Sequence, residues 1–235
     1  MKRRKVRPDA GMPGKTRRGL LILAVFLAAG LSWGCAGAKP ALLVDHYSLE
    51  YPPPVVEGMT ALPEVLKVDR FSTTEALRGF LMISRLKPYV YYADPYHRWR
   101  VSPADLATDF LVRDFRDAGL FKAVFTWRDP VDTRFELDGS VEEFSETSGP
   151  GGRKALLVLR ITLQDRSRNG IQNRVMYQKK YESDLPVESG TAEDLAASMS
   201  RSMALLSRRI IMDAYAAIQR ASGGGTVSEK PPTGK

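Results

Sequence analysis

Few side chains in this 235-residue sequence could take part in making or breaking bonds. It holds one cysteine, Cys35, and two histidines, His46 and His97. Nucleophilic catalysis needs a Ser, Thr or Cys whose proton passes to a base within hydrogen-bond reach. His46 follows Asp45 and His97 lies between Tyr96 and Arg98, and neither setting identifies a nucleophile. Glu142-Glu143 and Asp184 could be paired for acid–base work. Neighbours along a strand point to opposite faces, however, so these carboxylates read as solvated strand residues. No H-E-x-x-H, P-loop or dinucleotide fingerprint occurs. A single cysteine excludes a disulfide framework and a Cys-based zinc site. The expectation is a chain with no catalytic residue, no metal and no cofactor.

One segment does concentrate recognition chemistry. Tyr89-Val-Tyr-Tyr-Ala-Asp-Pro-Tyr-His-Arg-Trp-Arg100 carries five aromatic rings and two arginines. Such a run could stack the bases of a single strand, and the net charge of +8 would agree. That charge is local. Lys2, Arg3, Arg4, Lys5, Arg7, Lys15, Arg17 and Arg18 against Asp9 place +7 within residues 1–34 and leave +1 for the rest. A nucleic-acid partner thereby loses its electrostatic basis. Tyr, Trp and Arg are also the side chains that dominate protein–protein interfaces. Tyr91, Tyr92, Tyr96 and Arg98 are therefore candidates for a partner surface. Trp99, just ahead of a helix cap at Ser102, is expected to pack beneath the helix start as a structural anchor.

The remaining reactive group, Cys35, has a different setting. A basic stretch leads into Leu20–Trp33, 14 residues without a charge. That suits the apolar core of an export signal and is shorter than the roughly 20 residues of a spanning helix. The run ends in Leu31-Ser-Trp-Gly-Cys35, which resembles a lipobox, the site at which the cysteine is acylated and becomes the mature N-terminus. Ser32 stands where lipoboxes prefer an aliphatic residue, and Trp33 is bulky for its place. Ala36 lacks the aspartate that favours inner-membrane retention, so the outer membrane is the expected destination. The expected organisation is a lipoprotein signal peptide at 1–34, a tether at 35–44, a domain at 45–221 and a flexible tail at 222–235.

Periodicity supplies the elements that would position these groups. Tyr47–Tyr51 alternates and stops at Pro52-Pro-Pro54, as an edge strand would. Val65–Phe71, Met82–Tyr92 (interrupted by Pro88), Val124–Trp127, Phe135–Phe144, Ala155–Leu163 and Arg174–Glu182 read as further strands. Residues 72–79 read as a connection, and Ser145–Arg153, with Gly149-Pro-Gly-Gly152, as a loop. A helix begins at Ser102-Pro-Ala-Asp105 and presents Ala107, Phe110, Leu111, Phe115 and Ala118 on one face, closing at Gly119. A second begins at Thr191-Ala-Glu-Asp194 and presents Leu195, Met199, Met203, Leu206, Ile210, Ala214 and Ile218. The fold expected is α+β: a single domain with a mostly antiparallel mixed sheet and two long helices packed on one face.

The order of these motifs resembles a known family. Tyr47-Ser-Leu-Glu-Tyr-Pro-Pro53 precedes Tyr96-His-Arg-Trp99 and a helix that closes on Gly119-Leu-Phe121. Leu137-x-Gly139-x-Val141-x-x-Phe144, a strand ending Leu163-x-Asp165 and a terminal helix follow. The sequence is similar, over residues 42–220, to the ABC-type transport auxiliary lipoproteins, the PqiC-like family that accompanies MCE-domain lipid transport systems. Val101-Ser-Pro103 departs from the Ala-Pro-Pro common after the tryptophan. The resemblance implies a non-enzymatic lipoprotein on the periplasmic face of the outer membrane of a Gram-negative bacterium. Its implied partner is an MCE-domain protein and, through it, an inner-membrane ABC transporter that hydrolyses the ATP. An accessory lipoprotein of another envelope machine, such as a peptidoglycan synthase activator, is the alternative reading. Homo-oligomerisation stays open.

Overall fold

Apolar side chains at every second position turn residues 135–165 into the centre of the molecule. The computed structural model describes residues 43–223, and within it three long strands form an antiparallel meander: β7 (Phe135–Gly149), β8 (Gly152–Asp165) and β9 (Val175–Pro186). Ala155, Leu157, Leu159, Ile161 and Leu163 of β8 are all fully buried. Leu137 lies opposite Leu163, and Val141 opposite Leu159. A bulge between Val141 and Glu143 then shifts the alternation by one, and Phe144 falls opposite Leu157. Ser145–Arg153 is not a loop. β7 continues to Gly149, which pairs with Gly152 across Pro150-Gly151. The glycines serve only the turn, where Gly152 has φ +92°.

The other edge of β7 carries three parallel segments in succession: β2 (Leu62–Val68), β3 (Ser72–Thr73) and β4 (Leu81–Lys87). The sheet is therefore mixed, and the expected antiparallel predominance holds only for part of it. Residues 72–79, expected as a bare connection, contribute β3 and a short 3-10 turn, Glu75–Leu77. Antiparallel to β4 runs β5 (Val90–Trp99), and β1 (Asp45–Tyr47) lies parallel beyond it as an edge strand. β6 (Phe121–Thr126) adds parallel to β2. It follows α1 (Pro103–Asp117), whose crossover returns the chain in the same sense.

α1 and α3 (Ala192–Gly223) lie against the buried face of the sheet and touch each other. A single turn, α2 (Ile171–Arg174), precedes β9. Ser102 caps α1: its Oγ accepts from Asp105 N at 3.2 Å and donates to Asp105 Oδ2 at 2.8 Å. The buried side of α1 is broader than its sequence stripe. Leu106, Val112 and Asp114 are enclosed, whereas Phe110 and Ala118 are half-buried. Asp114 is bound by Arg113 at 2.7 and 2.9 Å and by the Tyr51 hydroxyl at 2.8 Å. The Arg113 guanidinium in turn lies 4.4 Å from the Tyr51 ring centroid, so the Tyr47–Pro54 stretch is clasped to the helix. In α3, Thr191 Oγ1 accepts from Asp194 N, and all seven residues of the expected stripe are buried. No helix among the described residues is long and apolar enough to cross a membrane.

Asp165 ties the far end of the sheet together. Arg134 Nε and Nη2 each donate to its carboxylate at 3.1 Å, and Ser167 N donates at the same distance. Burial works to raise the Asp165 carboxyl, but the hydrogen bonds from Arg134 and Ser167 outweigh it and bring it to about 2. A carboxyl depressed on folding contributes stability that is present above its unfolded pKa, near 3.8. That stability is lost as the pH falls through about 2. A shift of this size corresponds to about 2 kcal/mol. Urea unfolding of the parent and Asp165→Asn chains between pH 5 and pH 2 is expected to show the difference between them shrinking by roughly that amount. Parallel losses in both chains would remove Asp165 from the acid response.

Candidate functional site

The β4–β5 hairpin reaches past the start of α3, so part of its inner face is left uncovered. Met82, Ser84 and Leu86 of β4 and Tyr92 to His97 of β5 face Gly190–Glu193 and Leu195 across a cleft of about 610 Å³. Its shape follows from Pro95. Proline has no N–H for the ladder, and the β4–β5 register slips between Ile83↔Ala93 and Leu81↔Arg98. Asp94 takes over the released donors: its Oδ1 accepts from Tyr96 N at 2.8 Å and His97 N at 3.1 Å. The resulting bulge turns Tyr96 and His97 to the cleft.

Polar groups brace both ends. His97 Nδ1 lies 2.8 Å from Asp94 Oδ2. Burial opposes ionisation of Asp94, yet the bonds from the His97 ring and the Tyr96 and His97 amides hold its carboxyl below the ordinary range. The Tyr47 ring stands 5.9 Å from that of His97, and its hydroxyl donates to Glu193 Oε1 at 2.9 Å. Burial, then the Glu193 carboxylate, push the Tyr47 hydroxyl up to about 12, so it stays a neutral donor. On the cleft floor the buried Glu146 accepts from Ser84 Oγ at 2.9 Å and Arg153 Nη1 at 3.2 Å. Arg153 also donates to Gly190 O, and a Cβ on Gly190 would come within 2.7 Å of its Nη1. These contacts hold β7, β8 and the start of α3 together beneath the aromatic wall.

The four candidate surface residues do not form one surface. Tyr92 and Tyr96, 47 % and 50 % exposed, line the cleft. Tyr91 points to the other face, with the Arg85 guanidinium 5.9 Å from its ring. Arg98 is half-buried, and its Nε is enclosed without a partner. Trp99 is buried edge-on to Phe144, with ring centroids 4.9 Å apart. Cys35 lies outside the described residues. His46 lines a separate depression with Arg100. Glu142 pairs with Arg160 and Asp184 with Lys154, so these carboxylates do not converge. Among the described residues no three His, Cys, Asp or Glu side chains gather as metal ligands.

Sequence reading missed Glu146 and Arg153, because both fall in the stretch expected to be a loop. It also missed Tyr47 and Glu193, whose spacing of 146 positions carries no local signal. The arrangement is suited to binding: a wall of tyrosines over a fixed ionic floor, with the histidine engaged by its neighbour.

Residues 47–211 match the ABC-type transport auxiliary lipoprotein component family. Among solved structures, a Xanthomonas campestris protein described as DUF330 superposes with a TM-score of 0.70 at 17% identity. It covers 77% of this chain and 99% of its own. An uncharacterised protein superposes with a TM-score of 0.56 at 12% identity, covering 73% of this chain and 98% of its own. At these identities the likeness concerns the fold alone. No curated protein matches the sequence significantly.

Proposed function

The chain belongs to the ABC-type transport auxiliary lipoprotein component family, and from that premise we propose that it docks an MCE assembly at the outer membrane. In this reading acyl groups on Cys35 hold the domain at the periplasmic face. Each buried CH₂ contributes about 0.8 kcal/mol, so several chains on one cysteine anchor it firmly. The domain itself performs no catalysis: it binds the MCE protein, and ATP hydrolysis takes place on the ABC transporter across the periplasm. The observation that carries the reading is the Tyr92–Tyr96 cleft wall. It presents half-exposed rings of the type enriched at interface centres, above a braced floor that keeps their geometry.

The test is capture of the MCE partner by the full-length acylated protein. Tyr92→Ala with Tyr96→Ala is expected to weaken capture on the order of tenfold or more, with the melting temperature nearly unchanged. Tyr91→Ala, on the opposite face, is expected to leave capture intact. Equal binding by parent and double variant would move the interface elsewhere. Co-purification with a cell-wall synthase instead of MCE and ABC subunits would overturn the assignment. Mass spectrometry of the mature N-terminus checks the anchor, since an unmodified Met1 would exclude it.

A further inference from the structure

We propose that the turn end of the two hairpins, Lys87–Val90 with Gly149–Gly152 beside it, is the surface that meets the phospholipid headgroups of the anchoring membrane. The proposal rests on the reading of Cys35 as the lipid anchor. It adds which end of the domain faces the bilayer.

β4 and β7 run parallel, with Ile83 beside Ser145 and Arg85 beside Thr147. The turns at Pro88-Tyr89 and Pro150-Gly151 therefore leave the sheet at the same end. Tyr89 is 98% exposed at its tip and has φ +64°. That left-handed conformation is strained for an ordinary L-residue, and glycine or asparagine would adopt it more easily. The ring covers no core residue and projects into solvent. Tyrosine is a side chain that settles at headgroup level, with an apolar body and a polar tip.

The surrounding charge fits an anionic surface. A depression between the hairpins is lined by Arg85, Lys87, Pro88, Tyr89 and Tyr91, with Thr147 and Ser148 opposite, and contains no carboxylate. Among the described residues neither Arg85 nor Lys87 has an ion pair. Glu146 is buried against Arg153 and Asp184 is paired with Lys154, while Glu188 is exposed with no ion pair among the described residues.

The direction of the chain supplies the third argument. β1 is parallel to β5, and β5 leaves the hairpin turn at Val90. The N-terminal end of β1 is therefore directed toward the turn. Asp45 sits beside His97, which is about 23 Å of strand from Val90. Cys35 precedes Asp45 by a stretch that spans at most ~36 Å when extended. The chain thus enters β1 from the side of the hairpin tips, whereas α3 finishes at the opposite end of the sheet, about 48 Å from its start.

The full-length acylated protein, reconstituted in vesicles of phosphatidylethanolamine and phosphatidylglycerol, provides the test. Tyr89→Cys, Ser148→Cys and Met212→Cys each introduce one exposed thiol, labelled with an environment-sensitive fluorophore. Met212 lies on α3 about 30 Å from its first turn and serves as the distant control. Emission from positions 89 and 148 is expected to rise, shift to the blue and be quenched by a lipid-soluble quencher, with position 212 unaffected. Flotation with the vesicles but no greater quenching at 89 and 148 than at 212 would overturn the proposal and leave the anchor reading standing. Quenching protection that appears only when the MCE partner is added would assign the tips to that partner and overturn it equally. Failure to float, with Cys35 open to labelling, would sink the anchor reading and this one with it.

Discussion

Trp99→Ala is expected to remove about 3–5 kcal/mol of folding stability, a large share of the 5–15 kcal/mol that holds a typical domain. The indole is 1% exposed and meets Phe144 edge-on. Its backbone is fixed as well: Trp99 N donates to Phe80 O at 2.6 Å, and the following Arg100 N to Tyr47 O at 2.7 Å. The ring therefore packs against β7 where β5 leaves the sheet ahead of the Ser102 cap. Truncation leaves a cavity that a sheet bonded on both sides cannot close. The indole Nε1 is enclosed without a partner, so Trp99→Phe removes an unpaired donor and is expected to recover most of the loss. Chemical denaturation midpoints of the three chains decide it. A Trp99→Ala protein within about 1 kcal/mol of the parent would end the anchor role. If Tyr92→Ala or Arg98→Ala proves as damaging, the whole segment is architecture and docking lies on another surface.

Gly139→Ala should be the most harmful single-methyl addition in the sheet. A Cβ there would stand 2.5 Å from Phe71 Cε2 and Cζ and 2.8 Å from Cε1, well inside contact distance. The Phe71 ring cannot easily retreat. It is buried, and its amide donates to the buried Thr108 Oγ1 of α1 at 3.0 Å. Just beyond, Ser72 pairs with Ser140 where β3 meets β7. Overpacking of this kind costs typically 1–3 kcal/mol, and the fixed ring places this case at or above the upper end. Phe71→Leu should relieve the clash, so the double variant is expected to be more stable than Gly139→Ala alone. A double-mutant cycle with no coupling between the two positions would refute the contact as the cause.

Not every expected element met the same fate in three dimensions, and the differences have physical causes. The α3 stripe and the α1 cap were legible because a helix repeats every 3.6 residues and its caps are local. The β8 alternation was legible for the same kind of reason, since a pleated strand repeats every two. Direction of pairing was not. Alternation is identical in parallel and antiparallel strands, and the parallel runs of β2, β3 and β4 along β7 depend on the crossover through α1. Ser145–Arg153 looked like a loop because Gly and Pro cluster there, yet only the central pair makes the turn.

Residue types and their spacing were enough for the class of the domain and the bounds of its long helices. The order of its motifs was enough to indicate the family, to which residues 47–211 belong. These properties are written in residue type and short-range spacing, where the backbone's own geometry does the sorting. Tertiary structure alone decided which groups share a site. Tyr91 and Tyr92 are neighbours in sequence and lie on opposite faces of β5, whereas Tyr47 and Glu193 meet across most of the chain. It also decided that Asp114 could be buried, since a buried carboxylate is tolerated only where partners such as Arg113 and Tyr51 converge on it. Burial of polar groups and the walls of a cleft are set by contacts between distant segments, and no local period encodes them.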